Sequence, residues 1–377
     1  MQAVATSTEA DCTVAIPGVH SRGMSPVTFS PASAPRRPSE LVPLRVAVVG
    51  TGGWGEQHAR VFADRTDTIL CGVVGRDPER TAARAEAYRT TPYTDVDAML
   101  DAEQPDLVTV SLANEAHFAP TLHLIRRGVP LLVEKPLVFD LAQADTLLAE
   151  AAARNLFFAI DLNHRYAEPV QRLHRAIDDG ELGDIVFATW RFGGEPNFGT
   201  SPHANLIETQ VHGLDMLEHL CGPIASVMAQ MFDRTVPGTF TTLAVALEFV
   251  NGAVGTLLGS YDSSYAYPGT HHLEVNGTRG RGVVEDTVRR LVLSRAGDET
   301  SQVWEAGYFN DEARSFHSTF DRYVDALLAA LRAGEEPPVH ARAGRRALEL
   351  ADAIVRSAET GTRVASRPSS GPSQPAV

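Results

Sequence analysis

The fold is decided by the stretch Leu44-Arg45-Val46-Ala47-Val48-Val49-Gly50-Thr51-Gly52-Gly53-Trp54-Gly55. Its first six residues predict a buried β-strand, its glycines follow the pattern G-x-G-x-x-G, and residues 56–63 predict a helix. Gly50 permits a tight turn, Gly52 lets a pyrophosphate approach the backbone, and Gly55 lets the helix pack on the strand. Because N–H groups at a helix N-terminus attract phosphate, we assign Gly50, Gly52, Gly53, Trp54 and Gly55 to a dinucleotide-binding turn. A glycine turn with a purely structural role is the alternative.

The second predicted strand, residues 69–74, ends at Gly75-Arg76-Asp77. Sites that bind NAD place an acid about 20 residues after the glycines, where it binds the ribose 2′-hydroxyl. Here that place falls on Gly75 and Arg76, and an arginine can hold a 2′-phosphate through its planar guanidinium. The pattern therefore favours NADP as cofactor, while Asp77, one position further on, leaves NAD open.

A second loop of interest follows Leu131-Leu132-Val133, which predicts a strand buried on both faces. The next residues are Glu134-Lys135-Pro136. In an open α/β sheet, ligands bind beyond the carboxyl ends of the strands, and the proline restricts Lys135 to extended geometry. The ammonium of Lys135 is therefore expected to point into the ligand crevice. A solvated lysine at an ordinary strand end is the alternative.

The predicted elements divide the chain into two folded domains. Strand and helix patterns alternate up to residue 162, which is typical of a parallel sheet with helical crossovers. Beyond it, strand-like runs follow one another over residues 185–192, 225–232, 241–250, 253–261, 271–275, 282–286 and 290–294, before helices over 312–332 and 341–359. We predict an α/β protein with a Rossmann domain (43–162) and an α+β domain with a large, mainly antiparallel open sheet (163–365). Residues 1–42 and 366–377 read as a disordered leader and tail.

One predicted helix, residues 205–221, interrupts the strands of the second domain. Asn205 is a fair N-cap residue, and Gly222-Pro223 ends the helix. Its polar arc is formed by Glu208, His212, Asp215 and His219. A histidine between two acids has its charged form favoured, which suits a proton carrier near neutral pH. A solvated face and a metal site are the alternatives, but no H-E-x-x-H motif or cysteine cluster supports a metal, so none is predicted.

Together these motifs resemble the glucose-fructose oxidoreductase and myo-inositol dehydrogenase (Gfo/Idh/MocA) family. The resemblance covers nearly all of residues 44–364. It rests on the glycine turn with His58, on Glu134-Lys135-Pro136, on Asn163-His164-Arg165-Tyr166, and on the helix with His212 and Asp215. It implies an NAD(P)-dependent enzyme that transfers a hydride between nicotinamide and a hydroxyl or keto carbon of a sugar, cyclitol or related polyol.

The resemblance also implies roles for individual residues. Lys135 would contact the cofactor and the substrate hydroxyl, and His212 would be the acid/base, with Asp215 supporting it. Glu208 stands where the family more often has aspartate. Glu134, Asn163 and Arg165 are assigned to the cofactor site, and the candidate substrate walls are Arg191, Asn197, His203 and residues 261–267. Two alternatives stay open: a redox-dependent glycoside hydrolase that recycles its cofactor, and a non-catalytic NAD(P)-binding regulator.

Composition limits the partners and the location. The formal net charge of −14 argues against a nucleic acid or an anionic membrane surface. No apolar run reaches the ~20 residues that a membrane helix needs. Cys12, Cys71 and Cys221 are too few for a disulfide or metal framework, which favours a reducing cytoplasm. Arg36-Arg37 is not followed by a removable apolar segment, so we predict no export.

The second sheet is expected to form a subunit interface. Alternating apolar residues such as Val245, Leu247 and Phe249 would share one face of the sheet. Large apolar faces rarely stay exposed, and enzymes of the resembled family assemble through this sheet. We therefore predict a homodimer or homotetramer. The other predicted binding partner is a small-molecule substrate.

Overall fold

The computed structural model describes residues 42–194 and 201–366. The predictions for the leader except its last residue, for the tail except its first residue, and for Asn197 lie outside these residues. The division into domains at residue 162 remains a prediction.

A six-stranded parallel sheet forms the first half of the described chain, with the strand order β3-β2-β1-β4-β5-β6. Its strands are β1 (Leu44–Val49), β2 (Thr68–Val74), β3 (Thr91–Tyr93), β4 (Leu107–Val110), β5 (Leu131–Val133) and β6 (Phe158–Ile160). The order reverses between β1 and β4, and this switch point is where doubly wound sheets bind their ligands. The prediction of a Rossmann sheet is confirmed.

Five helices connect these strands: α1 (Gly53–Ala63), α2 (Pro78–Tyr88), α3 (Val96–Glu103), α4 (Phe118–Arg126) and α5 (Leu141–Ala152). Three of them begin at an aspartate whose carboxylate accepts a backbone N–H of the first turn, namely Asp77, Asp95 and Asp140. A 3-10 turn (Asn114–Ala116) precedes α4.

The second sheet has nine strands in the order β14-β13-β12-β11-β7-β10-β9-β8-β15. They are β7 (Ile185–Gly193), β8 (Ile224–Phe232), β9 (Thr242–Phe249), β10 (Val254–Ser260), β11 (His271–Gly277), β12 (Gly280–Glu285), β13 (Arg290–Arg295), β14 (Ser301–Glu305) and β15 (Val364–Ala365). Neighbouring strands are antiparallel except β7 and β10, which confirms the mainly antiparallel sheet.

The remaining helices are α6 (Glu168–Asp178), α7 (Val211–Cys221), α8 (Asp311–Arg314), α9 (His317–Ala333) and α10 (Arg342–Thr360). The last helix packs against both β8 and α5 and so joins the two sheets. Within α9, the Tyr323 hydroxyl donates to the backbone oxygen of Ile160, 2.7 Å away at the end of β6. None of the described helices combines the length and the apolar composition that crossing a bilayer requires.

The single helix predicted over 205–221 is wrong at its start. Residues Asn205–Thr209 form a π-helical turn, and the α-helix begins at Val211. The side-chain amide of Asn205 donates to Thr241 O at 2.7 Å, and that of Gln210 donates to Phe192 O at 3.3 Å. Because these polar side chains bond inward to the sheet, the turn widens, and Asn205 does not cap the helix as predicted.

The residues predicted to form an apolar face for a subunit interface are also wrong. Val245, Leu247 and Phe249 are 3%, 4% and 1% exposed. They face α10 and the core, because β9 alternates and its helix-covered face takes the larger side chains. The exposed face carries the intervening residues of β9 together with Met228 of β8 and Leu258 of β10.

Candidate active site

The glycine turn lies at the switch point of the first sheet. Gly50 has φ +131°, and a Cβ atom there would come within 1.8 Å of Ser111 O, at the end of β4. A Cβ atom on Gly55 would come within 2.2 Å of Gly50 O. By contrast, Gly52 and Gly53 have nothing within 4 Å of a Cβ position, so the space above the α1 N-terminus is open. This geometry suits a pyrophosphate held by backbone N–H groups.

The ribose end of the dinucleotide site lies beyond β2. Arg76 is exposed, whereas the Asp77 carboxylate accepts the backbone N–H of Arg80 at 3.1 Å as the α2 cap. The Arg80 side chain reaches across the crevice and donates from Nε to Thr51 Oγ1 at 3.2 Å. Sequence reasoning missed Arg80, although its place one turn into α2, facing the glycine turn, follows from the predicted topology.

Lys135 extends from the end of β5 toward the second sheet. Its Nζ donates to the backbone oxygen of Glu208 at 2.9 Å, and the Lys135–Pro136 peptide is cis. It is also the only lysine in a chain with 33 lysines and arginines. All the others are arginines, so the sequence itself distinguishes this residue. The structure agrees with an aimed rather than a freely solvated ammonium.

The Glu134 carboxylate is buried and turned toward His58 of α1. Its Oε1 lies 3.0 Å from His58 Nε2, its Oε2 accepts the backbone N–H of Lys135 at 3.2 Å, and the residue is 5% exposed. The assignment of Glu134 to the cofactor site stays a prediction. The motif could not reveal the contact with His58, because that residue comes from α1.

His212 lies flat against His164, with ring centroids 4.0 Å apart and planes 18° apart. Burial, followed by the neighbouring His164, Lys135 and His271, holds the pKa of His212 well below its usual 6.5. The prediction that two acids favour its charged form is wrong, because neither acid outweighs this environment. Burial likewise lowers the pKa of His164 to about 3, so the stacked pair is neutral at neutral pH.

Asp215 and Arg165 form an ion pair. Arg165 Nε donates to Asp215 Oδ2 at 2.8 Å and a second guanidinium nitrogen lies 2.5 Å from Oδ1. Asp215 and Arg165 thus neutralise each other, and their predicted roles beside His212 and in the cofactor site stay predictions. Asn163, also assigned to the cofactor, donates its amide to Thr319 Oγ1 of α9 at 3.0 Å. A bidentate pair of this kind outcompetes a single bond to a neutral imidazole.

Glu208 lies in the π-helical turn and is buried. Its backbone oxygen accepts from Lys135, and the neighbouring Thr209 hydroxyl lies 2.7 Å from the Tyr261 hydroxyl. The turn therefore brings the lysine of the first sheet next to the strands of the second. Residues of the first sheet and of the second sheet contact each other at this turn.

The candidate substrate walls differ in exposure. Arg191 turns to Gly269 O at 2.5 Å, and the His203 ring stacks on Phe240 at 5.2 Å. Tyr261 is buried, whereas Tyr265 and Tyr267 are 54% and 59% exposed. An aromatic wall continues inward from them through His271 and Phe192, whose ring centroids lie 3.8 Å apart. It ends at His164.

Among the residues that the structure describes, one group could place three ligand atoms on a metal ion: His58, Glu134 and Asp161. It is not the set on the predicted helix, where Asp215 pairs with Arg165 and His219 stacks on His174 at 4.4 Å. Sequence reasoning missed this group, since its members are brought together only by the sheet.

Comparisons with known proteins agree with this architecture. A family profile described as an oxidoreductase family with an NAD-binding Rossmann fold (GFO_IDH_MocA) matches residues 44–162, and the profile of its C-terminal alpha/beta domain matches residues 174–365. Inositol 2-dehydrogenase of Rhizobium meliloti (strain 1021) is 24% identical over 329 residues, which are 83% of this chain and 96% of that protein.

Two further relatives are similar over most of the chain. D-glucoside 3-dehydrogenase of Escherichia coli (strain K12) is 26% identical over 361 residues, with 85% of this chain and 97% of that protein covered. The structure of levoglucosan dehydrogenase in complex with NADH and levoglucosan has the same fold, with a TM-score of 0.78 at 18% identity over 87% of this chain and 100% of that one. Because both family profiles match and the glycine turn and Glu134-Lys135-Pro136 lie where the fold requires them, the chain belongs to the Gfo/Idh/MocA family of NAD-binding oxidoreductases.

Proposed function

We propose that the protein is a nicotinamide-dependent dehydrogenase that oxidises a hydroxyl carbon of an uncharged sugar, cyclitol or related polyol, or reduces the corresponding ketone. The observation that carries this proposal is that Lys135, at the carboxyl end of β5, reaches the turn that leads into the helix of His212. The Lys135 ammonium is bonded to Glu208 O, four residues before His212, and its charge acts on the His212 ring.

The roles of the two residues follow from their charges. The bound dinucleotide supplies the hydride acceptor or donor. His212, neutral in the resting protein, takes the proton from the substrate hydroxyl as the carbon is oxidised. Lys135 stabilises the negative charge that develops on that oxygen, in the manner of an oxyanion hole. In the reverse direction the same groups return the proton to a ketone oxygen.

An uncharged substrate is favoured because the site offers few cations that could bind a charged one. Arg165 is neutralised by Asp215, and Arg191 is bonded to a backbone oxygen. Arg191 keeps its charge in that bond, but the cationic side chain that acts on the His212 ring together with the neighbouring histidines is Lys135, and that charge is needed at the reacting oxygen. The relatives named for inositol and a D-glucoside are consistent with this substrate class.

A panel of inositols, aldoses, ketoses and glycosides tests the proposal through absorbance at the nicotinamide band. Stoichiometric formation of reduced cofactor is expected with at least one polyol. Release of an aglycone without net change in the cofactor would instead support the redox-dependent hydrolase. No turnover across the panel, with intact cofactor binding, would favour the regulator.

The cofactor preference is a separate proposal: NADPH is expected to bind more tightly than NADH. Arg76 is exposed at the ribose position, Arg80 lies over the glycine turn, and Asp77 is occupied as a helix cap. A hydrogen bond to a charged group contributes roughly 1.5–3 kcal/mol, or about 10–100-fold in affinity. Arg76→Ala and Arg80→Ala should each weaken NADPH binding by about tenfold, measured by fluorescence titration.

The matched control is NADH binding in the same two variants, which should change little because NADH lacks the 2′-phosphate. A wild-type protein that prefers NADH by roughly tenfold or more would contradict the proposal. Asp77 would then bind the ribose through Oδ2, since the helix cap uses its Oδ1.

We further propose that the protein is a homodimer or homotetramer that pairs through the exposed face of the second sheet. Met228 and Leu258 are 49% and 41% exposed there, and Ala246 lies between their strands. Leu258→Arg places a charge in this face and is expected to shift the oligomer to monomer in light scattering. Ile69→Arg, at an exposed position on β2, is the matched control and should leave the mass unchanged. A wild-type protein that is monomeric at micromolar concentration would contradict the interface.

A cytoplasmic location is likewise inferred. Cys71 and Cys221 are both free and buried, as suits a reducing compartment. Cell fractionation would test the location, and recovery of the protein outside the cytoplasm would contradict it.

A further inference from the structure

Three buried ionisable side chains, one of which is Glu134 itself, cluster next to Lys135. They take no part in the chemistry proposed above. His58 comes from α1, Glu134 follows β5, and Asp161 follows the neighbouring strand β6. One ligand atom of each lies within 4.8 Å of the other two, and the residues are 0%, 5% and 2% exposed. The register of β5 and β6 pairs Val133 with Ile160, so the two acids leave the sheet side by side.

Glu134 is the acceptor at the centre of this cluster. It accepts from Lys135 N–H, lies at hydrogen-bonding distance from His58 Nε2, and is hydrogen-bonded to the Asp161 carboxyl. Two carboxyl groups in contact at a dry site cannot both be ionised. Glu134 has two hydrogen-bonding neighbours, His58 Nε2 and the backbone N–H of Lys135. Asp161 is hydrogen-bonded to the backbone of Asn163, but its Oδ1 has no hydrogen-bond partner among the described residues, which favours the shared proton on Asp161.

We propose that Asp161 is held as a neutral acid that donates a hydrogen bond to the Glu134 carboxylate, and that this pair positions Lys135. The positioning role rests on the function proposed for Lys135; the protonation of Asp161 does not. Glu134 holds the backbone N–H of Lys135, while Glu208 O holds its ammonium, so the lysine is fixed at both ends. An ionised Asp161 would repel Glu134 and release the backbone end.

The surrounding charges agree with this assignment. Burial, the charge of Glu134 and the hydrogen bond to it raise the pKa of Asp161 well above its usual range. Burial opposes ionisation of Glu134, but His58, Lys135 and His117 outweigh it and lower the pKa of Glu134. The charge of Lys135 and a hydrogen bond from the backbone of Asn163 act in the opposite direction on the pKa of Asp161, but burial and Glu134 outweigh them. Tyr166 and Tyr323 also lie near Asp161, and both have a raised pKa and are therefore neutral.

Two isosteric variants, Asp161→Asn and Glu134→Gln, test the proposal because opposite outcomes are expected for them. Asp161→Asn keeps a neutral donor toward Glu134 and is expected to retain kcat within about threefold, whereas Asp161→Ala removes the donor. Glu134→Gln replaces an acceptor of several bonds by an amide with one acceptor oxygen, and should lower kcat by about 10–100-fold through misplacement of Lys135. If Asp161→Asn is as impaired as Asp161→Ala, or if Glu134→Gln is the tolerated member, the proton has been assigned to the wrong acid.

Two measurements separate positioning from a general loss of stability. Because Lys135 is the only lysine, 15N-lysine labels a single side chain, whose signal is identified by its absence in Lys135→Met. Its chemical shift should move in Glu134→Gln and stay close to wild type in Asp161→Asn. In the Lys135→Met background, Glu134→Gln should cost no further activity, as expected for residues that act through one another. A fully additive loss would overturn the positioning role.

The protonation state is tested without turnover. An infrared difference spectrum of wild type minus Asp161→Asn at neutral pH should contain the carbonyl stretch of a protonated carboxyl group. Its absence would overturn the assignment even in an active dehydrogenase, and its presence would uphold it even in a protein with no dehydrogenase activity. Stoichiometric metal in the purified protein, lost in Asp161→Asn, would show instead that the cluster is a cation site.

Discussion

His212→Asn is expected to lower kcat by about 10²–10⁴-fold, the usual range for loss of a general acid/base. Asparagine keeps much of the shape of imidazole but cannot take up a proton. The fold should survive, because asparagine fills most of the space of the buried imidazole against His164. Cofactor affinity should also survive, since the glycine turn binds the phosphates. Steady-state kinetics with the best polyol, together with cofactor titration, measure both effects.

The pH dependence gives the same prediction a second readout. Oxidation needs neutral His212, and burial, His164, Lys135 and His271 hold its pKa below the usual 6.5. On lowering the pH through 6.5, kcat/KM of the wild type should therefore stay level and fall only at more acidic pH, where the ring gains its proton. The His212→Asn profile should lack this acid limb.

His174→Asn is the matched control, because His174 also belongs to a stacked histidine pair, with His219, but lies outside the crevice. Its kcat should equal that of wild type. A His212→Asn enzyme within a few-fold of wild type, with an unchanged pH profile, would show that the proton travels through Lys135 or another crevice residue.

Lys135→Met should lower kcat by about 10²–10³-fold, as expected for the loss of an oxyanion-type stabilising group. Methionine keeps the bulk of the stem but removes the charge and the bond to Glu208 O. Because the charge acts on the developing alkoxide, the loss should fall mainly on kcat rather than on KM. Lys135→Arg should not restore the rate, since a planar guanidinium cannot replace a compact ammonium at this position.

Arg126→Met is the control for loss of one positive charge, as Arg126 is an exposed residue of α4 paired with Glu150. Its activity should be unchanged. If Lys135→Met retains wild-type kcat and changes only cofactor affinity, the lysine binds the dinucleotide and does not act on the substrate oxygen.

Features that depend on short stretches of chain could be predicted. The glycine turn, the alternation of strands and helices, and the two sheets follow from local periodicity and from glycine and proline chemistry. The predictions from sequence were wrong where polar side chains form hydrogen bonds to residues distant in the chain. Asn205 and Gln210 bond to strands of the second sheet, which widens the start of the helix into a π-turn. Periodicity assigns a residue to a face of its own helix but does not reveal what covers that face.

The sequence by itself therefore determined the family and the glycine turn, and it predicted that Lys135 and His212 belong to one site. Tertiary structure alone decided the partners of the charged groups. Asp215 pairs with Arg165, 50 residues away, and Glu134 with His58, 76 residues away. A buried carboxylate must find a donor to offset its desolvation, and which donor lies within reach depends on how elements distant in sequence pack together. That packing leaves His212 neutral rather than charged.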